Sequence, residues 1–286
     1  MAENIIDQMQ NRLAGMTKAQ KKVADLIMTD PMEASYSTID KIAHSADVST
    51  ASVIRLANAL GYSTFSEFQN VLKEYMRSGS APIHRLSLNA RNTETGAEED
   101  VVAAVYQQGM ENLAHAVQTL STETLREIAE MIGNASCIYI IGARTSESTA
   151  RYLTFNLNRM FLNTVYVGDS MSNQIDLIKK IKPEDVLIVI TISRYNKVLC
   201  RTAERCREKG AGVIGITDSY DSPLAGCTQV QLVGKCWSTD FHNSILSQIF
   251  LADALIKVCS QVSADRVQKN LEYDEQYFSE IQYFVR

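Results

Sequence analysis

From Cys137 onward, five short apolar runs (Cys137–Ile141, Thr164–Val167, Val186–Ile192, Val213–Thr217 and Val230–Val233) alternate with amphipathic stretches near 146–162, 171–180, 197–209 and 241–260. Short apolar runs separated by helical segments read as buried strands joined by βαβ crossovers, which pair in parallel. The alternation predicts an α/β domain with a five-stranded parallel sheet flanked by helices. A helix starting at Val101, with Val105, Leu113, Val117 and Leu120, leads into a second one ahead of the first run.

Residues 1–77 keep a helical rhythm throughout. Thr17 with Gln20 makes a capping box before Val23, Leu26 and Ile27, a stretch closed by Asp30-Pro31, and Thr64 with Glu67 makes another before Phe68, Val71, Leu72 and Tyr75. Between the two domains, residues 78–100 lose periodicity and collect small, polar and turn-forming residues, which reads as a linker. The organisation is therefore an all-α domain at 1–77, a linker at 78–100 and the α/β domain at 101–286.

Within the helical domain, Ser37 to Gly61 has the layout of a helix-turn-helix. Ser37 and Asp40 form a capping box, Ile39, Ile42 and Ala43 face inward, and Asp47-Val48 makes the turn, with Asp accepting the positive φ that glycine often supplies there. Ser49 suits the cap of the second helix, Val53, Leu56, Ala57 and Leu60 form its buried face, and Gly61 suits a left-handed cap. That leaves Ser49, Thr50, Ala51, Ser52, Arg55 and Asn58 as the outer face, where a recognition helix carries its base contacts. Arg55 suits bidentate pairing with guanine. An ordinary helical hairpin has the same buried pattern, but a merely solvated face more usually carries Glu and Lys.

The net charge of −5 does not mark a uniformly basic nucleic-acid binder, so a DNA contact must rest on local field. Arg12, Lys18, Lys21, Lys22, Lys41, Arg55, Lys73 and Arg77 are candidates for that field, with Lys18 also taken as a DNA contact, if Asp25, Asp30 and Glu33 face away. Weak affinity of one unit implies pairing of two half-sites. No apolar run is long enough to span a bilayer and the amino terminus does not resemble a signal peptide, which places the chain in the cytoplasm. The six scattered cysteines and four dispersed histidines lack metal-ligand spacing, so no metal or cofactor is expected.

Ligands of parallel sheets bind beyond the carboxyl ends of strands, at helix N-termini. Two loops there combine hydroxyls with an arginine: Gly142-Ala143-Arg144-Thr145-Ser146, and Thr191-Ile192-Ser193-Arg194-Tyr195-Asn196. Each is a chemically reasonable anion cradle. Equally, Thr145 and Ser193 suit helix caps, with the arginines solvated.

Together these segments resemble the RpiR/MurR-type bacterial transcriptional regulators, which join a helix-turn-helix to a sugar isomerase (SIS) domain. The likeness is carried by VSTASVIRLANALGYSTFSEFQ on one side and by IYIIGARTSESTA, PEDVLIVITIS, EKGAGVIGITD and Ser222-Pro223-Leu224-Ala225 on the other. It implies a homodimer or homotetramer on palindromic operator DNA, with affinity modulated by a phosphosugar-like effector. SIS domains that hold sugar phosphates usually show Gly-x-Gly-x-Ser and Ser-x-Ser-Gly-x-Thr in these loops. Here Ser146 keeps its match, Thr191 and Ser193 stand for the serines, Asn196 for the threonine, and Arg144 and Arg194 replace glycines. The resemblance leaves open a sugar phosphate held differently, a sugar acid, or a SIS half that only assembles the protein. An isomerase is the competing class, with Glu147 and His242 (placed at the start of the helix after Trp237) as candidate proton carriers; the expectation is no catalysis.

Overall fold

The computed structural model describes residues 5–29, 31–79, 82, 100–168, 170–238 and 240–284. It separates into two compact units, Met1–Thr95 and Gly96–Arg286. The expected linker is helical at residues 78 and 79 and ends at a capping Asp100, and nearly all of it lies outside the described residues.

The first unit runs α1 (Ile5–Arg12), a 3-10 turn at Leu13–Gly15, α2 (Lys18–Thr29), α3 (Pro31–Tyr36), α4 (Ile39–Ser45), α5 (Thr50–Ala59) and α6 (Phe65–Gly79). The Thr17 box forms as expected: Thr17 N–H donates to Gln20 Oε1 at 2.9 Å and Gln20 N–H to Thr17 Oγ1 at 3.3 Å. Ahead of α6, Glu67 N–H donates to Thr64 Oγ1 at 3.1 Å, while the Glu67 carboxylate takes Ser63 N–H at 2.8 Å, one residue earlier than a capping box requires.

Three details differ from the sequence expectation. Pro31 opens a helix rather than only closing one, because a first-turn proline loses no hydrogen bond. Thr38, not Ser37, caps α4 by accepting Lys41 N–H; Ser37 is buried and its hydroxyl donates to Glu33. Val71 is 37% exposed, because Phe68, Leu72 and Tyr75 already make the inward stripe of α6.

Those residues join Val23, Ala24, Ile27, Ile42, Ala43, Val53, Leu56, Ala57 and Leu60 in one core. Gly61, at φ 101°, ends α5 with Tyr62 N–H on Ala57 O and Gly61 N–H on Asn58 O, the paired bonds of a Schellman motif. Asp47 holds the turn between α4 and α5 at φ 51°.

The second unit contains α7 (Val101–Thr119), α8 (Thr122–Asn134), β1 (Ile138–Gly142), α9 (Ser146–Phe161), β2 (Thr164–Tyr166), α10 (Met171–Lys180), β3 (Val186–Ile190), α11 (Lys197–Glu208), β4 (Gly212–Thr217), β5 (Val230–Val233), α12 (Leu246–Val262) and α13 (Ala264–Glu280). All five strands pair in parallel, in the order β2-β1-β3-β4-β5. Alternate side chains pack opposite faces. Val186, Ile188 and Ile190 join a core with α8, α9 and α12, whereas Leu187 and Val189 meet α10 and α11.

Two parts of this unit depart from the expectation. The helix placed near 241 begins at Leu246, because Ser238, Asp240 and Ser244 bond the local backbone, so His242 lies in a loop. The final helix α13 was not anticipated. Of α7, the first buried residue is Asn112, and Val101, Val102, Val105, Tyr106 and Met110 are exposed along its first three turns.

The helix-turn-helix turn yields a stability test. Asp47 is paired with Lys22 at 2.9 Å but is 94% exposed, so the ion pair contributes little. Asp47→Val should lower stability by about 1–2 kcal/mol through the left-handed backbone, while Asp47→Gly should not. Urea unfolding of the two variants checks this.

Candidate functional site

In the helical unit, α5 is held from three sides. Arg12 Nη1 donates to Ala59 O at 2.7 Å, Gln20 Nε2 donates to Arg55 O at 3.1 Å, and the Gly61 cap fixes its exit. Thr50, Ala51, Arg55 and Asn58 lie exposed on its outer side, as does Ser49, which precedes α5 without the expected side-chain cap bond, and Lys18 is exposed at the start of α2. Ser52 does not belong with them. It is 4% exposed, because position 52 turns toward the α5 core beside Val53, and its Oγ accepts from Arg55 Nη2 at 3.1 Å. The sequence reading missed Ile54, 41% exposed between the polar positions, since an apolar residue there reads as core by type.

The basic residues are less free than their spacing implied. Lys22 pairs with Asp47, and Lys41 pairs with Glu33, which therefore does not face away from the lysines. Arg12 is spent on the end of α5. Among the described residues, the ammonium groups of Lys18 and Lys21 have no hydrogen bond or ion pair.

In the α/β unit, the chain leaves β1 toward β2 on one side and leaves β3 toward β4 on the other. The strand order therefore reverses between β1 and β3. Gly142 and Ile190 are register partners at the carboxyl ends of these strands, so the loops 142–146 and 191–196 start side by side. This is the crevice where ligands of open parallel sheets bind.

Gly142 is required by packing: a Cβ there would meet Ser146 O at 2.7 Å and Ala150 Cβ at 3.0 Å. Arg144 and Arg194 sit at φ 56° and 66°, in the left-handed region where glycine is at ease and arginine is strained. Both side chains are exposed, and neither makes a hydrogen bond or ion pair among the described residues.

The hydroxyls do not cap helices. Thr145 precedes α9 without a side-chain cap bond, and Asn196 caps α11 by accepting from Val198 N–H and Leu199 N–H. The side chains of Thr145, Ser146 and Ser193 make no hydrogen bond among the described residues. Thr191, which is buried, spends its Oγ1 accepting Asn196 N–H at 3.2 Å. Asp218, at the end of β4, was not singled out from the sequence. Its Oδ2 accepts Ser193 N–H at 3.1 Å and the Cys236 thiol at 3.2 Å, and Asn243 Nδ2 donates to Ser193 O at 3.3 Å. Among the backbone amides of the second loop, those of Thr191, Ser193 and Asn196 donate to Ile216 O, Asp218 Oδ2 and Thr191 Oγ1.

The candidate proton carriers fare differently. The Arg151 guanidinium bonds the Glu147 carboxylate at 2.8 Å and holds it below the usual carboxylate range, the wrong direction for a base poised near neutrality. His242 is exposed in the loop before α12, 3.3 Å from Ser238 Oγ.

Comparison with known proteins matches residues 3–79 to the helix-turn-helix domain of the rpiR family and residues 131–258 to the SIS domain. The chain belongs to the RpiR family. An uncharacterized HTH-type transcriptional regulator of Clostridium perfringens is 25% identical over 274 residues, 94% of this chain and 96% of that protein. The HTH-type transcriptional regulator HexR of Pseudomonas aeruginosa is 25% identical over 284 residues, 92% of this chain and 90% of HexR. Among solved structures, the Vibrio vulnificus NanR protein complexed with ManNAc-6P aligns with a TM-score of 0.61 at 18% identity, covering 99% of this chain and 100% of that one. The sugar isomerase domain of an RpiR transcription factor from Sphaerobacter thermophilus aligns at 0.60 and 20% identity, over 62% of this chain and 99% of that one. As an RpiR-family protein, the chain is a DNA-binding transcriptional regulator.

The loop geometry sets opposite outcomes for two kinds of substitution in this regulator. Gly142→Ala should lower stability by about 1–3 kcal/mol through overpacking. Arg144→Gly and Arg194→Gly should leave stability unchanged or raise it by up to about 1 kcal/mol, since glycine relieves the left-handed strain. Denaturant midpoints distinguish them.

Proposed function

We propose that this regulator works in the cytoplasm as a homo-oligomer on a palindromic operator, and that an anionic sugar derivative bound at the 142–146 and 191–196 loops modulates its DNA affinity. The observation that carries the effector reading is the pair of unpaired guanidiniums at left-handed positions on adjacent loops. Unrelieved strain in two exposed residues is rarely kept without a use for the side chain. Guanidinium forks grip phosphate or carboxylate bidentately, with the hydroxyls of Thr145, Ser146 and Ser193 beside them. The sugar phosphate in the NanR complex favours a phosphosugar.

Glu147 is engaged by Arg151, which supports a regulator without isomerase activity. No helix among the described residues is long and apolar enough to cross a membrane, consistent with the cytoplasmic assignment. The exposed apolar residues of α7 support association with a second copy, since a helix with little burial is marginal in water. They also favour the second reading, a SIS half used only for assembly. Effector binding would act by thermodynamic coupling, shifting operator affinity by the difference in effector affinity between free and DNA-bound protein.

Three measurements test the proposal. A thermal-shift screen of sugar phosphates and sugar acids should find a compound that stabilises the protein by about 2.7 kcal/mol at a hundredfold excess over Kd, and Arg144→Gly with Arg194→Gly should abolish the shift without unfolding. A screen in which nothing binds leaves the assembly reading. Arg55→Ala should cost roughly 1–3 kcal/mol of operator binding per half-site, with relaxed sequence preference. Val105→Glu with Tyr106→Glu should shift the protein toward monomer by analytical ultracentrifugation.

A further inference from the structure

Ser52 was expected among the base contacts, but it is buried at the N-terminal end of α5 with two polar neighbours. Its Oγ lies 3.1 Å from Arg55 Nη2 and 3.0 Å from Ser49 Oγ. The guanidinium only donates, so Ser52 Oγ accepts there, and in its contact with Ser49 Oγ either hydroxyl can be the donor. Arg55 also has its backbone carbonyl held by Gln20 Nε2 at 3.1 Å.

We propose that Ser52 is a positioning residue for base recognition: it holds the Arg55 side chain in one rotamer along the recognition helix, with its fork already set for a guanine edge. The inference rests on the DNA-reading assignment of Arg55. Donor accounting permits both roles. One Nη2 hydrogen serves Ser52, while the second Nη2 hydrogen and those of Nη1 remain for the O6 and N7 acceptors of guanine. An arginine fixed before binding loses less rotamer freedom on binding, and a lysine at position 55 could not make both contacts in the same geometry. The effect belongs to sequence discrimination, not to the phosphate contacts that dominate nonspecific affinity.

The test uses the full-length protein and an operator selected by the wild type from a random DNA pool. Arg55→Ala should flatten preference at one guanine position by roughly 5- to 150-fold. Ser52→Ala should lower discrimination at that same position by about 2- to 12-fold, with an unchanged salt slope and melting temperature. Alanine is well tolerated in a helix, and Ser52→Thr, which keeps a hydroxyl, should retain the wild-type ratio. Replacing that guanine by 7-deazaguanine should remove most of the difference between wild type and Ser52→Ala. If Arg55→Ala flattens a position and Ser52→Ala keeps wild-type discrimination there, the positioning role is overturned while the base-reading assignment stands. If Arg55→Ala flattens no position, both fall.

Discussion

The pairing of β1 with β3 is the contact on which the α/β unit depends. Both strands are buried on both faces, and both are followed by helices that must return to parallel neighbours on opposite sides. That divergence leaves a gap at the carboxyl ends of the two strands, and register sets Gly142 opposite Ile190 at its edge. The loops that follow have little freedom. Gly142 lets the first turn of α9 close over the strand end, and Asp218 with Asn243 grips the Ser193 peptide from two directions.

Backbone strain recurs where the chain has to present side chains. Asp47 at the helix-turn-helix turn and Arg144 and Arg194 at the strand ends all occupy the left-handed region without being glycine. At Asp47 the reason is local, a tight turn with a small polar residue that tolerates it. At the arginines, a glycine would serve the backbone better, and the long side chain instead supplies charge beside the crevice.

On the DNA side, rigidity has a different source. Helix α5 has ten residues, too few to be stable in isolation. Its backbone is fixed by Arg12, Gln20 and the Schellman turn at Gly61, and its buried face by Val53, Leu56, Ala57 and Leu60. Ion pairs remove Lys22 and Lys41 from the supply of free positive charge.

The amino-acid sequence by itself determined the fold class, the five parallel strands, the helix-turn-helix and the two arginine loops. These are set by local periodicity, by caps such as Thr17 with Gln20, and by residue types such as Gly61 that admit few conformations. Only the tertiary structure decided which polar groups are already spent. Ser52 turned from a base contact into a buried partner of Arg55, Asn196 into a helix cap, and Asp218 into the anchor of the second loop. Asp218 at the end of β4 and Asn243 in the loop before α12 are far apart in sequence from Ser193, which both of them bond, so no local pattern reports those contacts. Position 52 shows the limit within a single helix, where a rotation of one residue separates a solvent-facing serine from a buried one.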